Sequence, residues 1–385
     1  MKILTVLTYY RPHTSGLTIY AERLMKALVR RGHQVTVLTS QYSPELPLEE
    51  TKDGVRIVRA PVAMRLSKGV IMPTFGFLAS KLVADHDAVH LHLPQFDAAG
   101  VALRGRILHK PTVITYHCDL LMPPGLLSRA ANIGVKVMNN LAALSTQAVV
   151  TYTRDYGENS PFLRRYLKKI RVIPPPVEMP EVGETAIRDF AAQNNPDQHR
   201  PVIGMAARFA TEKGVEVLLD ALPKILQKYP QAMVLFAGPY QNIIGEEAYW
   251  KKLQPTIQQY QQQGSWKFVG SLIPEQMSAF YPNLDVLVLP SLNSTESFGL
   301  VQIEAMLNGV PSVTSNLPGV RQPVMMHGMG EIFPIGDSNS LADAVCRVVA
   351  NPEKYKSDPE MIRQAYLPDS VAGNYENLFE ELRSA

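Results

Sequence analysis

A strand, a turn and a helix follow one another without interruption between Asp285 and Pro311, and only layered α/β folds are built from such units. Asp285 to Leu289 (D-V-L-V-L) is a short apolar run bounded by proline, the pattern of a strand buried on both faces of a parallel sheet. Leu300 to Leu307 has helical spacing, with Gly309 placed to end the helix and Pro311 beyond it. Between them, Pro290-Ser-Leu-Asn-Ser-Thr-Glu296-Ser-Phe-Gly-Leu-Val-Gln-Ile-Glu304 holds two carboxylates and a glycine turn. Ser297, Phe298 and Gly299 therefore fall at a strand-to-helix junction, where backbone N–H groups and the positive end of a helix dipole face the carboxyl edge of a sheet. Such a junction suits an anion. It places Glu296 at its mouth and Glu304 about two turns into the helix. Two glutamates near a helix start can also be solvated charges in a favourable dipole. Glu304, however, is followed by Ala305 and Met306 in an apolar segment, where a carboxylate is costly unless a ligand or donor satisfies it.

The same alternation runs through the chain. Ile3 to Thr8 reads as a strand, Tyr9 to Gly16 as a loop, Leu17 to Arg31 as a helix and Gln34 to Thr39 as a second strand, a β-α-β unit. Further strands are expected at Asp53 to Val62, Ala88 to Leu93, Pro111 to Tyr116 and Ala148 to Thr153. A second series comprises Pro201 to Ala206, Ala232 to Ala237, Trp266 to Val269, Asp285 to Leu289 and Pro311 to Ser315. Ser160-Pro161 reads as the start of a helix ending in Arg164, Arg165, Lys168, Lys169 and Arg171. Ile173 to Glu178 carries three consecutive prolines, and the polar stretch to His199 has the composition of a connection. The expected organisation is a Rossmann-like domain over 1–178, a linker over 179–199, a second Rossmann-like domain over 200–362 and a final segment 363–385. At 385 residues the chain can bury two cores.

Several residue groups could carry chemistry. Arg208 and Lys213, five positions apart in a strand-to-helix loop, can converge on one diphosphate, and Gly214 permits a close backbone turn. His117 follows a strand at its carboxyl end, where α/β enzymes keep working residues, although a lone histidine there can be structural. The first loop lacks G-x-G-x-x-G, which argues against a nicotinamide or flavin, and no cofactor is expected. His90 and His92 alternate onto one strand face near His117 and Cys118, and Asp85-His-Asp87 formally matches a metal-binding D-x-D. No zinc-type spacing supports either, so no metal is expected.

The pattern P-S-x5-E-S-F-G-L-V-x-I-E-A-M-x-x-G-V-P resembles the donor-site signature of family 4 glycosyltransferases, with both glutamates at the E-x7-E spacing, and Arg208 to Gly214 matches that family's R-x4-K-G. The resemblance implies a GT-B fold, two Rossmann-like doubly wound parallel-sheet domains facing a central cleft. It also implies a retaining enzyme that moves a sugar from a UDP- or GDP-sugar to a glycan, lipid-linked or small-molecule acceptor without a metal. It implies catalytic roles for His117, Glu296, Arg208 and Lys213. Donor contacts would come from Gly16, Ser271, Leu272, Ser297, Phe298, Gly299, Leu300 and Glu304, and acceptor contacts from Tyr9, Arg65, Lys68 and Asp119. The last helix would cross back onto the first domain. Two departures stand out: Ser15 replaces the first of a Gly-Gly pair ahead of Gly16, and prolines 174–176 stand where the family has Asn-Gly. Rival readings are a glycoside hydrolase, which also pairs carboxylates but needs no diphosphate cradle, a GT-B nucleotide-sugar epimerase, and a noncatalytic nucleotide-sugar binder.

Charge is unevenly divided. Residues 1–180 hold 23 Lys and Arg against 12 Asp and Glu, whereas the remainder holds 15 against 23. A basic first half could meet an anionic membrane surface or a phosphorylated acceptor, or simply attract the acidic half. Nucleic acid is not expected, because no helix-turn-helix, zinc spacing or RNA-binding aromatic pattern accompanies the charge. The segment from Arg65 to Leu78 mixes basic and bulky apolar residues in an expected loop suited to a membrane surface or an acceptor. No long apolar run and no signal peptide are recognised, and two cysteines make no disulfide framework. The expected place is the cytoplasm, with possible peripheral attachment to the inner face of the membrane.

Overall fold

The computed structural model describes residues 1–66, 69–121 and 126–384. The chain divides into two units, Met1–Val177 with Ala365–Ala385, and Glu178–Gln364. The strands of the first are β1 (Lys2–Val6), β2 (Gln34–Gln41), β3 (Glu49–Lys52), β4 (Val55–Pro61), the hairpin β5 (Met64–Leu66) and β6 (Gly69–Ile71), then β7 (Ala88–Leu93), β8 (Thr112–Tyr116), β9 (Ala148–Thr151) and β10 (Ile170–Val172). Eight of them form one sheet in the order β10-β9-β8-β7-β1-β2-β4-β3, parallel except where β3 runs against β4. Every residue of β7 and β8 is buried, as a parallel sheet covered on both faces requires. From β1 the chain winds outward through β2 and β4, then returns to the other side of β1 as β7. The carboxyl ends of β1 and β7 therefore mark a switch point, where successive loops diverge and leave a crevice.

The second unit repeats the device with β11 (Val202–Ala206), β12 (Met233–Ala237), β13 (Trp266–Gly270), β14 (Val286–Leu289), β15 (Ser312–Ser315) and β16 (Gly330–Phe333). All are parallel, in the order β13-β12-β11-β14-β15-β16, with the switch point between β11 and β14. The helices Val215–Lys228 and Ser338–Ala350 pack together on this sheet through Leu218, Leu222, Leu341 and Val345. A separate cluster gathers Phe280, Leu287, Ala305 and Val310.

Four expectations change. Residues 179–199 belong to the second unit and contain a helix, Glu184–Asn194, whose Phe190 lies against Phe280 in that unit's core; the polar composition concealed one anchoring aromatic. Of the segment from Arg65 to Leu78, described residues lie in the antiparallel strands β5 and β6 and in a helix, Phe75–Asp85, rather than in a loop. Ser160 does not open an α-helix: it ends the helix Arg154–Asn159, and its hydroxyl donates to Asp119 Oδ1 at 2.7 Å and accepts the Leu163 N–H at 3.3 Å, where only a 3-10 turn follows. The basic residues beyond it lie in two such turns and in β10. β16 was not foreseen, since Gly-Glu-Ile-Phe offers no apolar run. The final helix, Pro368–Ser384, packs on the helix Gly16–Arg30 through a 3.0 Å Arg30–Asp369 ion pair and a 2.7 Å hydrogen bond between the Tyr20 and Tyr375 hydroxyls.

Candidate active site

Because β11 and β14 are neighbours, the loop that follows each is delivered to the same place, although the two lie some eighty residues apart. After β11 comes Arg208, then a 3-10 turn over Thr211–Lys213, and Gly214 opens the next helix with φ +66°. A Cβ on Gly214 would stand 2.2 Å from the Pro290 carbonyl oxygen, so only glycine lets the two loops approach this closely. The Leu292 N–H donates to the Glu212 carbonyl at 2.9 Å and ties them together. Across this contact the Lys213 ammonium sits 2.5 Å from Glu296 Oε2, with both side chains about four-fifths buried. The other Glu296 oxygen accepts the Gly299 N–H at 3.1 Å, where Gly299 takes φ +80° to start the helix Leu300–Met306. One carboxylate thus spans an ammonium group and a helix-start amide. Arg208 pairs with Glu212, and the Thr211 hydroxyl and N–H both donate to Glu246.

This geometry corrects two expectations. The Gly299 N–H at the helix start is already bound by Glu296, and the helix has only seven residues, so its dipole is a minor contributor beside the two cations. Glu304 lies in the second turn rather than two turns in, and its carboxylate accepts the Tyr281 hydroxyl at 2.8 Å. Ser297 and Phe298 are buried, which leaves their backbone as the part that can face a ligand; Leu300 is half-buried. Ser271 is exposed and Leu272 packs on the core after β13, two strands from β11. Sequence reasoning overlooked Gln302, which is fully buried and clasps the Phe298 and Val320 carbonyls and the Ser312 hydroxyl, holding the Glu296 loop on β15. A lone amide inside L-V-Q-I-E-A-M was the available signal.

The first unit gathers its chemistry-bearing residues around β7 and β8. His117 is buried, with Nε2 2.8 Å from His92 Nδ1 and Nδ1 against the Tyr152 hydroxyl. His90 lies beside His92 and bonds Thr115 through Nε2 at 2.7 Å, and Thr115 in turn meets the Tyr375 hydroxyl at 2.6 Å. Burial holds all three imidazoles neutral: His90 and His117 are pushed well below the ordinary histidine range, each helped by neighbouring imidazoles, and His92 falls to about 3. The partners of His117 come from β7 and from just beyond β9, and were not legible locally. Asp119 does not face outward as an acceptor contact would: it is buried, and Tyr116, Ser160 and the Tyr156 hydroxyl hold it in place. Tyr9 stacks on His13 after β1 and lies close enough to Arg65 to feel its charge, which partly offsets the rise that burial imposes on its hydroxyl pKa. Lys68 lies outside the described residues. Gly16 is the first residue of its helix, and a Cβ there would meet nothing within 4 Å. Among the described residues, no group of three or more His, Cys, Asp or Glu could hold a metal ion, and no helix is long and apolar enough to cross a membrane.

Two doubly wound units, the second with cations and carboxylates gathered at its switch point, are the architecture of the GT-B fold. A family profile described as Glycosyltransferase Family 4 matches residues 14–179, and one described as Glycosyl transferases group 1 matches 186–366. The chain is 25% identical over 372 residues to a GDP-mannose-dependent alpha-mannosyltransferase of Mycobacterium tuberculosis, across 92% of this chain and 90% of the relative. It is 27% identical over 393 residues to a glycogen synthase of the same organism, across 96% and 91%. Its fold matches that of Anabaena HepE, solved with UDP-glucose, at a TM-score of 0.77 and 20% identity over 100% of both chains. The chain belongs to family 4 of the glycosyltransferases and is a nucleotide-sugar glycosyltransferase. No feature of the site favours the hydrolase, epimerase or noncatalytic readings.

Proposed function

We propose that this enzyme transfers a hexose from a UDP- or GDP-sugar with retention of anomeric configuration and without a metal ion. The observation that carries the reading is the Lys213–Glu296 contact at the second switch point, with Arg208 on the same loop. A donor diphosphate competes for both cations. As it takes up their charge, Glu296 is released to the hydroxyls of the transferred sugar. Arg208 and Lys213 then stabilise the negative charge that grows on the leaving diphosphate, a part that a divalent cation plays in other enzymes. The bond from the anomeric carbon to the diphosphate oxygen breaks, the acceptor oxygen bonds to that carbon on the same face, and the acceptor's proton passes to the leaving phosphate oxygen. Glu304, oriented by Tyr281, holds the ribose hydroxyls. The backbone of Ser297 to Leu300, Gly16 and the Ser271–Leu272 turn supply further donor contacts. His117, kept neutral by burial, exchanges its Tyr152 contact for a hydroxyl of the sugar. Tyr9 and Arg65 face a glycan, lipid-linked or small-molecule acceptor, and the cation excess of the first domain suits work at an anionic membrane surface from the cytoplasmic side.

Calorimetry with UDP and GDP identifies the base, and anomeric NMR of the product made in EDTA tests retention and metal independence together. Glu296→Ala and Lys213→Ala each lower turnover by at least about 100-fold with the fold kept. Near-parental turnover in either purified variant refutes the assignment.

A further inference from the structure

The helix Leu126–Ser145 of the first unit presents a stripe that its own domain does not cover. Ile133, Val137, Leu141 and Leu144 are 63, 47, 46 and 58% exposed, and their spacing puts all four within about a quarter of the helix circumference. The neighbouring helix Ala98–Ile107, packed against it, exposes Leu103 and Ile107 as well. An apolar surface of this extent on a folded unit marks something that covers it.

Charge decides what that is. From Ala98 to Thr153 the chain carries a single carboxylate, Asp119, and that one is buried. Exposed cations lie on this helix and on the elements fastened to it: Lys136 on the helix itself, Arg106 on its neighbour, and Arg164, Arg165 and Lys168 on the two 3-10 turns, while the exposed acid of the short helix before those turns, Glu158, is paired with Arg154. Those turns are fastened to the same helix. Tyr166 donates to Asn140 Oδ1 at 2.8 Å, and the Lys169 ammonium caps the helix end on the Ala143 and Thr146 carbonyls at 2.8 and 2.7 Å. A second copy of this chain, docked by two-fold symmetry, would set cations against cations. A bilayer bearing anionic headgroups matches both parts, with acyl chains for the stripe and phosphates for its border.

We propose that this face, centred on Ile133, Val137, Leu141 and Leu144, docks the enzyme onto an anionic lipid surface, with the helix lying in the membrane plane. The proposal deepens the membrane reading of the first domain by naming the surface, and it is independent of the donor assignment.

Flotation of the full-length chain with vesicles of neutral phosphatidylcholine, alone or with about 30% phosphatidylglycerol, tests it. The expected result is recovery with anionic vesicles only, lost on raising salt, and reduced at least about tenfold both in the Ile133→Asp/Val137→Asp double variant and, separately, in the Arg164→Glu/Lys168→Glu double variant. Nucleotide binding should be unchanged in each, which shows that the chain is folded. If neither vesicle carries the parent, the membrane reading and this surface both fall. If anionic vesicles carry the parent and both variants equally, the membrane reading stands and this surface is wrong. A parent dimer by light scattering that the first variant abolishes, without vesicle binding, overturns the proposal in favour of a second copy.

Discussion

Replacing Gly214 by alanine should damage the second unit and its donor site together. At φ +66° an alanine Cβ would lie 2.2 Å from the Pro290 carbonyl oxygen and 3.2 Å from Leu292 Cγ. Carbon and oxygen settle no closer than about 3.3 Å, so the two loops must separate by roughly 1 Å. Left-handed backbone costs alanine about 1–2 kcal/mol, and the crowding adds about 1–3 kcal/mol. The sum, about 2–5 kcal/mol, is a large part of a typical stability of roughly 5–15 kcal/mol. Each kcal/mol moves the melting temperature of a domain this size by about 2–4 °C, so a fall on the order of 10 °C is expected. Both tryptophans, Trp250 and Trp266, lie in the second unit, which makes intrinsic fluorescence a selective probe of its melting. Because Lys213 precedes Gly214 and Pro290 begins the loop bearing Glu296, calorimetry should also show donor nucleotide affinity at least about tenfold weaker, since a shift of about 1 Å in a positioned group is costly. Gly214→Asn separates the two causes, because asparagine accepts left-handed backbone but brings the same Cβ. Parental melting in G214N would leave only backbone strain, and parental melting and affinity in G214A would refute the coupling of the two loops altogether.

Gly16→Ala should behave oppositely: nothing lies within 4 Å of its Cβ position, so melting stays within about 1 °C or rises slightly, while the KM for the nucleotide sugar increases if ligand backbone approaches there. An unchanged KM removes Gly16 from the donor set. Acid should destabilise the first unit through its histidine cluster. Unfolded imidazoles take up protons below about pH 6.5, whereas burial keeps the folded ones neutral, His92 down to about 3. Their contribution is therefore intact above pH 6.5 and is lost as pH falls toward 3, each histidine costing about 1.4 kcal/mol per unit, or about 4 kcal/mol for the three at pH 5.5. Urea midpoints at pH 7.5 and 5.5, followed by circular dichroism, should differ accordingly; equal midpoints would contradict the burial.

The inner strands of both sheets were legible because each depends on neighbours in sequence, whereas the edge strands β3, β10 and β16 were not. D-V-L-V-L, short, rich in Val and Leu and bounded by proline, reads as an inner strand, and the helix Val215–Lys228 begins where Gly214 breaks the preceding loop. The two motifs that carry the donor chemistry were legible as motifs for the same reason. Segments with weaker local signals were misread: Phe190 is one aromatic in a polar stretch, Gly330–Phe333 has no apolar run, and Ser160 had a nearby carboxylate to compete for its hydroxyl.

What the sequence determined by itself was residue type at fixed spacing: Arg208 to Lys213, Glu296 to Glu304, and His117 at the end of an apolar run. The tertiary structure decided who meets whom. Lys213 reaches Glu296 because β11 pairs with β14, Tyr281 reaches Glu304, and His117 is flanked by His92 from β7 and by Tyr152 beyond β9. Parallel ladders join strands that are distant along the chain, so no local window contains both partners of such a contact. The apolar stripe on Leu126–Ser145 shows the same division: its apolar residues are plain in the sequence, but only packing shows that Ile133 and Leu144 are left on the outside.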